Sequence, residues 1–247
     1  MSASKTLAFV LNTQDYRDTS LLGDLYTRDY GRIRGIVKGI RDTRARFGST
    51  LEPFSLNEVL FYRRRKGGDL HLITQVDLVD LFQDVREDLE RLAAASYCTE
   101  LVRELVENEE SSPEIFTLML DTFKFLSSGA SVKRVLRIFE VKLLDLLGLM
   151  PEVKACVFCR AVPQGAVYFD AGAGGIRCRD CGSAGMPVSL GTLNFMDHVK
   201  RVPVSGLMSV KVSQGVGQEL ERVLRRFTDF HLSHKLKTLT FMEKIGL

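Results

Sequence analysis

No run of about 18 uncharged apolar residues occurs anywhere in the chain, so no membrane-spanning helix is expected. Met1–Gln14 lacks the charged start and the cleavage site of a secretory signal, which points to the cytosol. There the five cysteines stay reduced, and a disulfide framework is not expected. A glycine-rich phosphate loop followed by Lys-Ser/Thr is absent, and with it the expectation of a nucleotide cofactor or nucleotide hydrolysis. Histidine is scarce: of His71, His198, His231 and His234, the last two sit three apart without the glutamate of a metalloprotease helix. No cluster of aspartates marks a two-metal nuclease, and no internal repeat or low-complexity tract is found.

What remains is an ordinary globular composition: 247 residues, 45% hydrophobic and 26% charged, enough for two modest cores. The net charge is only +3, but it is unevenly spread. Between Gly31 and Lys66, Arg32, Arg34, Lys38, Arg41, Arg44, Arg46, Arg63, Arg64, Arg65 and Lys66 face only Asp42, Glu52 and Glu58. Between Asp84 and Glu110 acids dominate, with only Arg86, Arg91 and Arg103 against them. A basic working surface beside a differently charged helical region is expected.

The first eighty residues read as five short strands, Thr6–Asn12, Ser20–Arg28, Gly31–Lys38, Leu56–Arg63 and Leu70–Val76, punctuated by Asp29-Tyr30-Gly31 and Lys66-Gly67-Gly68-Asp69. Five such strands fit a small closed barrel, of the OB or the SH3-like kind. After Asp80 the period becomes helical. Glu87–Glu107 is followed by a helix opening at Ser112-Pro113-Glu114, and a third spans Val132–Leu147 and stops at Gly148, with Pro151 beyond. Leu190–Val199 and Val216–Leu239 read as further helices. Helices follow strands rather than alternating with them, which indicates a multi-domain α+β chain: a barrel over 1–80 and a mainly helical domain over 81–247.

Between the helices lies a Gly- and Cys-rich segment, Ala155–Met186. Cys156-Val157-Phe158-Cys159 and Cys178-Arg179-Asp180-Cys181 are two C-x2-C pairs eighteen residues apart, the spacing of a tetrahedral four-cysteine zinc site. Four sulfurs complete the tetrahedron and leave no place for a reacting water, so one structural zinc is expected in a module at about 152–187. Unrelated cysteine pairs or a redox dithiol are the alternatives; no βαβ pattern supports the latter. Gly172, Gly174 and Gly175 read as a turn, and Cys98 as a core residue on an apolar helix face.

Lys and Arg neutralise phosphates and release counterions, so the basic stretch is read as a nucleic-acid surface without sequence preference. Arg32 and Arg34, at i and i+2, can share a strand face with Lys38 beyond them. Arg41, Arg44 and Arg46 follow, and Arg63, Arg64, Arg65 and Lys66 form a second block at a hairpin tip. Tyr26, Tyr30, Phe61 and Tyr62 could stack on bases or fill the barrel. Arg222, Arg225, Arg226, Lys235 and Lys237 lie on the last predicted helix, either as a solvent face or as a contact for a protein or DNA.

These pieces resemble the RecO family of bacterial DNA-repair proteins. The likeness is carried by Asp15-Tyr16-Arg17-Asp18-Thr19-Ser20-Leu21-Leu22, Gly35-Ile36-Val37-Lys38-Gly39-Ile40-Arg41 and Leu51-Glu52-Pro53-Phe54. It continues through Arg137-Ile138-Phe139-Glu140 to Leu143-Leu144-Asp145-Leu146-Leu147-Gly148-Leu149-Met150-Pro151, and extends to the order barrel, helices, Cys pairs, helices. The resemblance implies an N-terminal OB-fold and a helical C-terminal domain carrying a zinc module. It further implies a cytoplasmic, nucleoid-associated mediator of homologous recombination that is not an enzyme. Such a protein binds single- and double-stranded DNA, anneals complementary strands, and works with RecR and with the C-terminal tail of the single-strand-binding protein. Arg225 and Arg226 are the candidates for contact with that acidic tail. A zinc-ribbon DNA-binding regulator or a zinc-dependent nuclease is the alternative reading of the same residues.

Overall fold

A computed structural model describes residues 3–16, 18–38, 51–63, 70–207, 210, 212–232 and 234–247. They divide into two compact units, Met1–Ser127 with Thr238–Leu247, and Ser128–Lys237.

The first unit is built on five strands: β1 Ala3–Tyr16, β2 Ser20–Thr27, β3 Gly31–Val37, β4 Leu56–Tyr62 and β5 Leu70–Asp80. They close into a barrel in the order β1-β2-β3-β5-β4, and β4 pairs back to β1. Every pair is antiparallel except β3 with β5, where Arg34 faces Leu70 and Val37 faces Ile73. The chain therefore leaves β3, crosses to β4 and returns beside β3 along β5, an OB-like barrel. Alternate residues fill it: Ala8, Val10, Leu25, Ile33, Val37, Val59, Phe61, Ile73 and Val76, with Leu51 from the loop before β4. β1 runs on to Tyr16, past its apolar stretch, because Thr13–Tyr16 pair with Ser20–Gly23 of β2 through backbone bonds that need no hydrophobic pattern.

The other face of β1 is buried as well. Phe9 packs its ring 5.3 Å from Phe116, 5.3 Å from Phe123 and 6.1 Å from Phe82. Phe82 directly precedes α1 Gln83–Arg86, and Phe116 and Phe123 belong to α3 Pro113–Ser127, with α2 Leu89–Leu105 between these helices in the chain. Asp88 caps α2 by accepting from Arg91 N at 3.0 Å. Cys98 lies fully buried on α2. The compact division thus groups α1–α3 with the barrel, whereas the change of period at Asp80 places them with the later helices.

The second unit holds α4 Val132–Leu146, β6 Val167–Asp170, β7 Gly175–Cys178, β8 Met186–Val188, α5 Leu190–Arg201, α6 Val204–Leu207 and α7 Gln214–His231. Gly148, at φ 69°, ends α4 where expected. The three-stranded sheet has the order β7-β6-β8, and Phe169 of β6 meets Phe227 of α7 at 5.9 Å. Strands of three or four residues leave too short a pattern to be read from sequence. α5 is capped by Ser189, and Glu219 of α7 accepts from the Ser189 N–H at 2.9 Å and from the Ser189 hydroxyl at 2.5 Å.

The helix expected over Val216–Leu239 is two helices. α7 ends at His231, and α8 Lys237–Lys244 belongs to the first unit from Thr238 on. Glu100 of α2, 7% exposed, accepts from Thr238 N at 2.9 Å and from the Thr238 hydroxyl at 2.5 Å, so a tertiary contact sets the new start that periodicity could not reveal.

Gly31 opens β3 at φ 66°, and a Cβ there would lie 2.1 Å from the carbonyl oxygen of Glu110. Gly31→Ala is expected to cost about 2 kcal/mol or more, from left-handed backbone strain plus displacement of that loop. A urea midpoint equal to that of the parent chain would contradict this.

Candidate metal centre and nucleic-acid interface

The four cysteines of the two knuckles converge. Their Sγ atoms all lie within 4.8 Å of one another, and those of Cys159 and Cys178 are 3.6 Å apart. Cys156 and Cys178 are buried, Cys181 half-buried and Cys159 exposed. Local backbone geometry makes this possible. Arg160 N donates to the Cys156 carbonyl at 2.9 Å and takes φ 63°, folding the first knuckle. A 3-10 turn over Arg179–Cys181, closed by Gly182 at φ 117°, folds the second. The segment on either side of Cys156 is laid along β7 by Ile176 N to Glu152 O at 3.0 Å and Val157 N to Ile176 O at 2.9 Å. Only glycine fits at 175, since a Cβ would stand 2.5 Å from Glu152 O.

The electrostatics suit a cation. Burial alone would raise the Cys156 thiol. N–H donors from Cys159, Cys178 and Phe158 outweigh it and hold the group down at about 6, the Cys178 N–H lying 3.4 Å from the sulfur. Cys181 is pushed up to about 12, chiefly by hydrogen bonding with the Cys159 and Cys178 sulfurs and then by burial. Four thiols this close cannot all ionise by themselves, and a cation at their centre removes the conflict. Four soft donors with N–H bonds aimed at sulfur fit a metal ion that prefers thiolate.

On the barrel, the basic residues separate into distinct roles. Arg32 is not available as a surface cation. Its guanidinium grips Asp24 at 2.9 and 2.7 Å and donates to the carbonyl oxygens of Arg103 and Val106 at the end of α2. The Arg32 and Asp24 side chains are 17% and 12% exposed, and Arg32 O accepts from Glu109 N at 2.8 Å. Arg34, two residues on, is exposed with no ion pair among the described residues, and Lys38 is exposed at the end of β3. Arg63 stacks over the Tyr30 ring at 4.9 Å with Glu109 at 3.9 Å. Arg41, Arg44, Arg46, Arg64, Arg65 and Lys66 lie outside the described residues. Tyr26 and Phe61 are wholly buried and cannot stack on a base; Tyr30 and Tyr62 are half-buried. On α7, Arg225 is half-buried and Arg226 is exposed beside Phe230.

A family model described as "Recombination protein O N terminal" matches residues 1–82, and one described as "Recombination protein O C terminal" matches residues 86–240. The chain belongs to the RecO family. The DNA repair protein RecO of Anaeromyxobacter sp. (strain Fw109-5) is 34% identical over 248 residues, spanning 98% of this chain and 96% of that relative. RecO of Anaeromyxobacter dehalogenans (strain 2CP-1 / ATCC BAA-258) is 34% identical over 250 residues, 100% of this chain and 98% of its own length. RecO of Syntrophus aciditrophicus (strain SB) is 30% identical over 248 residues, 98% and 95% respectively.

The RecO-like motif at Arg137–Glu140 is a buried ion pair: Arg137 Nε lies 2.9 Å from Glu140 Oε2, with the side chains 12% and 2% exposed. Two features escaped the sequence reading. Arg177 reaches both knuckles, and a cleft of about 290 Å³ brings Lys133, Arg134 and Arg137 of α4 beside Phe195 and Leu220. Charge density along the chain would have flagged Lys133-Arg134, but nothing local announced the cleft.

Burial pushes the Tyr26 phenol, whose hydroxyl donates to Ser112 O at 3.1 Å, up to about 12 from 10.0. The folded chain therefore keeps this proton where the unfolded chain loses it. Stability should fall as pH rises from about 10 to about 12, and Tyr26→Phe should lack that decline while giving up about 1 kcal/mol at neutral pH. Denaturant midpoints of both proteins across that window check the difference.

Proposed function

We propose that the chain acts in DNA repair and homologous recombination as a binding protein with no catalytic step. In this reading it holds single- and double-stranded DNA on its barrel, anneals complementary strands, and helps load recombinase together with RecR on DNA coated by single-strand-binding protein. The observation that carries the DNA part is the outer face of β3. There Arg34 and Lys38 are exposed on one face, and Lys38 and Arg63 lead directly into the basic segments that hold Arg41, Arg44 and Arg46, and Arg64, Arg65 and Lys66. Cations gathered on one surface screen the repulsion between two phosphate backbones, so pairing needs no nucleotide. The four-cysteine cluster holds one structural zinc that fastens the segment between α4 and α5. RecR and the single-strand-binding protein come from family membership, not from geometry.

The test is DNA binding across a salt series with unrelated oligonucleotides. Affinity should fall steeply with salt and vary little with sequence. The double change Arg34→Ala, Lys38→Ala should weaken every oligonucleotide alike and lower the salt slope by about 2. Binding that ignores salt would sink the reading. Arg32→Ala is the wrong probe, because it strands Asp24 and uncaps α2 and so reports on folding.

The cleft on α4 favours a second element: a seat for the single-strand-binding protein's acidic, apolar-ended tail. Lys133 and Arg134 supply charge, and Phe195 with Leu220 supply an apolar floor. Arg225 follows the cleft residue Glu221 by one turn on α7, whereas Arg226 lines a separate hollow with Phe169 and Phe230. Lys133→Glu with Arg134→Glu should weaken a labelled tail peptide about tenfold or more, and more than Arg225→Glu with Arg226→Glu. Unchanged binding in both double variants would discard the second unit's basic surface as the seat.

A further inference from the structure

We propose that Arg177 is the positioning residue of the metal centre: one guanidinium that fastens the two cysteine knuckles to each other and sets how tightly the ion is held. The inference rests on the zinc reading of the four cysteines.

Arg177 precedes Cys178 on β7, directly opposite Tyr168 of β6. Its guanidinium has three engagements. One nitrogen donates to the carbonyl oxygen of Cys181 at 3.3 Å, in the second knuckle. Another is 2.7 Å from Asp170 Oδ2, at the tip of the β6–β7 hairpin. The planar group lies 4.0 Å over the ring of Phe158, which sits between Cys156 and Cys159 in the first knuckle. Gly182 belongs to the same arrangement, since a Cβ there would meet Arg177 atoms at 3.6 and 3.8 Å. The side chain is 19% exposed, and its Nε is buried without an acceptor among the described residues.

That assembly does more than staple a hairpin. A dication with four thiolates carries two surplus negative charges, and Arg177 brings a permanent cation into the shell beside them. Asp170 orients the guanidinium: its carboxyl is held below the ordinary range, first by the Arg177 bond and then by the Ala173 N–H at 3.1 Å. Cys159, the exposed residue of the four, is the natural side of entry for a competing chelator, and the ring of its neighbour Phe158 is the one Arg177 covers. A lysine would keep the charge but lose the fork that reaches carbonyl, carboxylate and ring together.

The experiment uses the full chain with measured zinc content and follows zinc transfer to a chromogenic chelator, with cobalt-substituted spectra alongside. Arg177→Met is expected to speed release about 10- to 100-fold and to shift the cobalt absorption, Arg177→Lys to restore part of the loss, and Asp170→Asn to fall between parent and Arg177→Met. Thermal melts of the zinc-free proteins are the control. If the variants differ only there, with equal release and identical cobalt spectra, Arg177 is a structural staple and the proposal is overturned. Should Arg177→Met fail to fold, Asp170→Asn and Arg177→Lys carry the same comparison, and release at the parent's rate from both is equally fatal. A parent chain that takes up no zinc at all refutes instead the zinc reading on which this rests.

Discussion

Closure of the barrel depends on β1, which pairs with both β2 and β4 and is buried on both faces from Ala8 to Leu11. One edge of β1 pairs with β4 from Ala3 to Phe9 and the other with β2 from Ala8 to Tyr16, so Ala8 and Phe9 are paired on both edges. Its inward residues Ala8 and Val10 sit in the barrel core, while Phe9 between them anchors the rings of Phe82, Phe116 and Phe123 outside. A strand committed on both sides cannot slip by one residue without sending Phe9 into a space shaped for Ala8.

The same two-layer arrangement explains the division of labour among the barrel's cations. Where β3 lies beside the end of α2, Arg32 is drawn into Asp24 and the helix's last carbonyls, giving up solvent for a bidentate partner and a capping role. Arg34 is two residues further along and exposed. The strand's own period put both on one face, but the neighbouring helix decided which of them became structure and which stayed surface. A loss of DNA binding on replacing Arg32 would therefore say nothing about contact.

In the second unit the constraint is electrostatic. Four sulfurs crowded within a few ångströms are compatible with folding either as mostly protonated thiols or as ligands of a cation. The N–H groups aimed at Cys156 favour ionisation of at least one of them even in its buried position. The surrounding sheet is small and meets α7 through Phe169 and Phe227, and a cation at the sulfurs' centre would add cohesion to it.

Some of this was fixed within a few residues of chain, and so could be read there. The C-x2-C pairs are legible because a knuckle's two ligands are brought together by its own turn. The barrel strands show a period of two, and Gly148 ends α4 through its own positive φ. The rest was set by partners distant in sequence. Tyr26 and Phe61 look like any strand aromatics until burial assigns them to packing. The break between α7 and α8 follows from Glu100, more than a hundred residues upstream, accepting from Thr238. Arg177 is one arginine among many until folding places Phe158, Asp170 and the Cys181 carbonyl around it. Short-range chemistry declares itself in sequence spacing; the role of a charge or a ring depends on what the fold brings to face it.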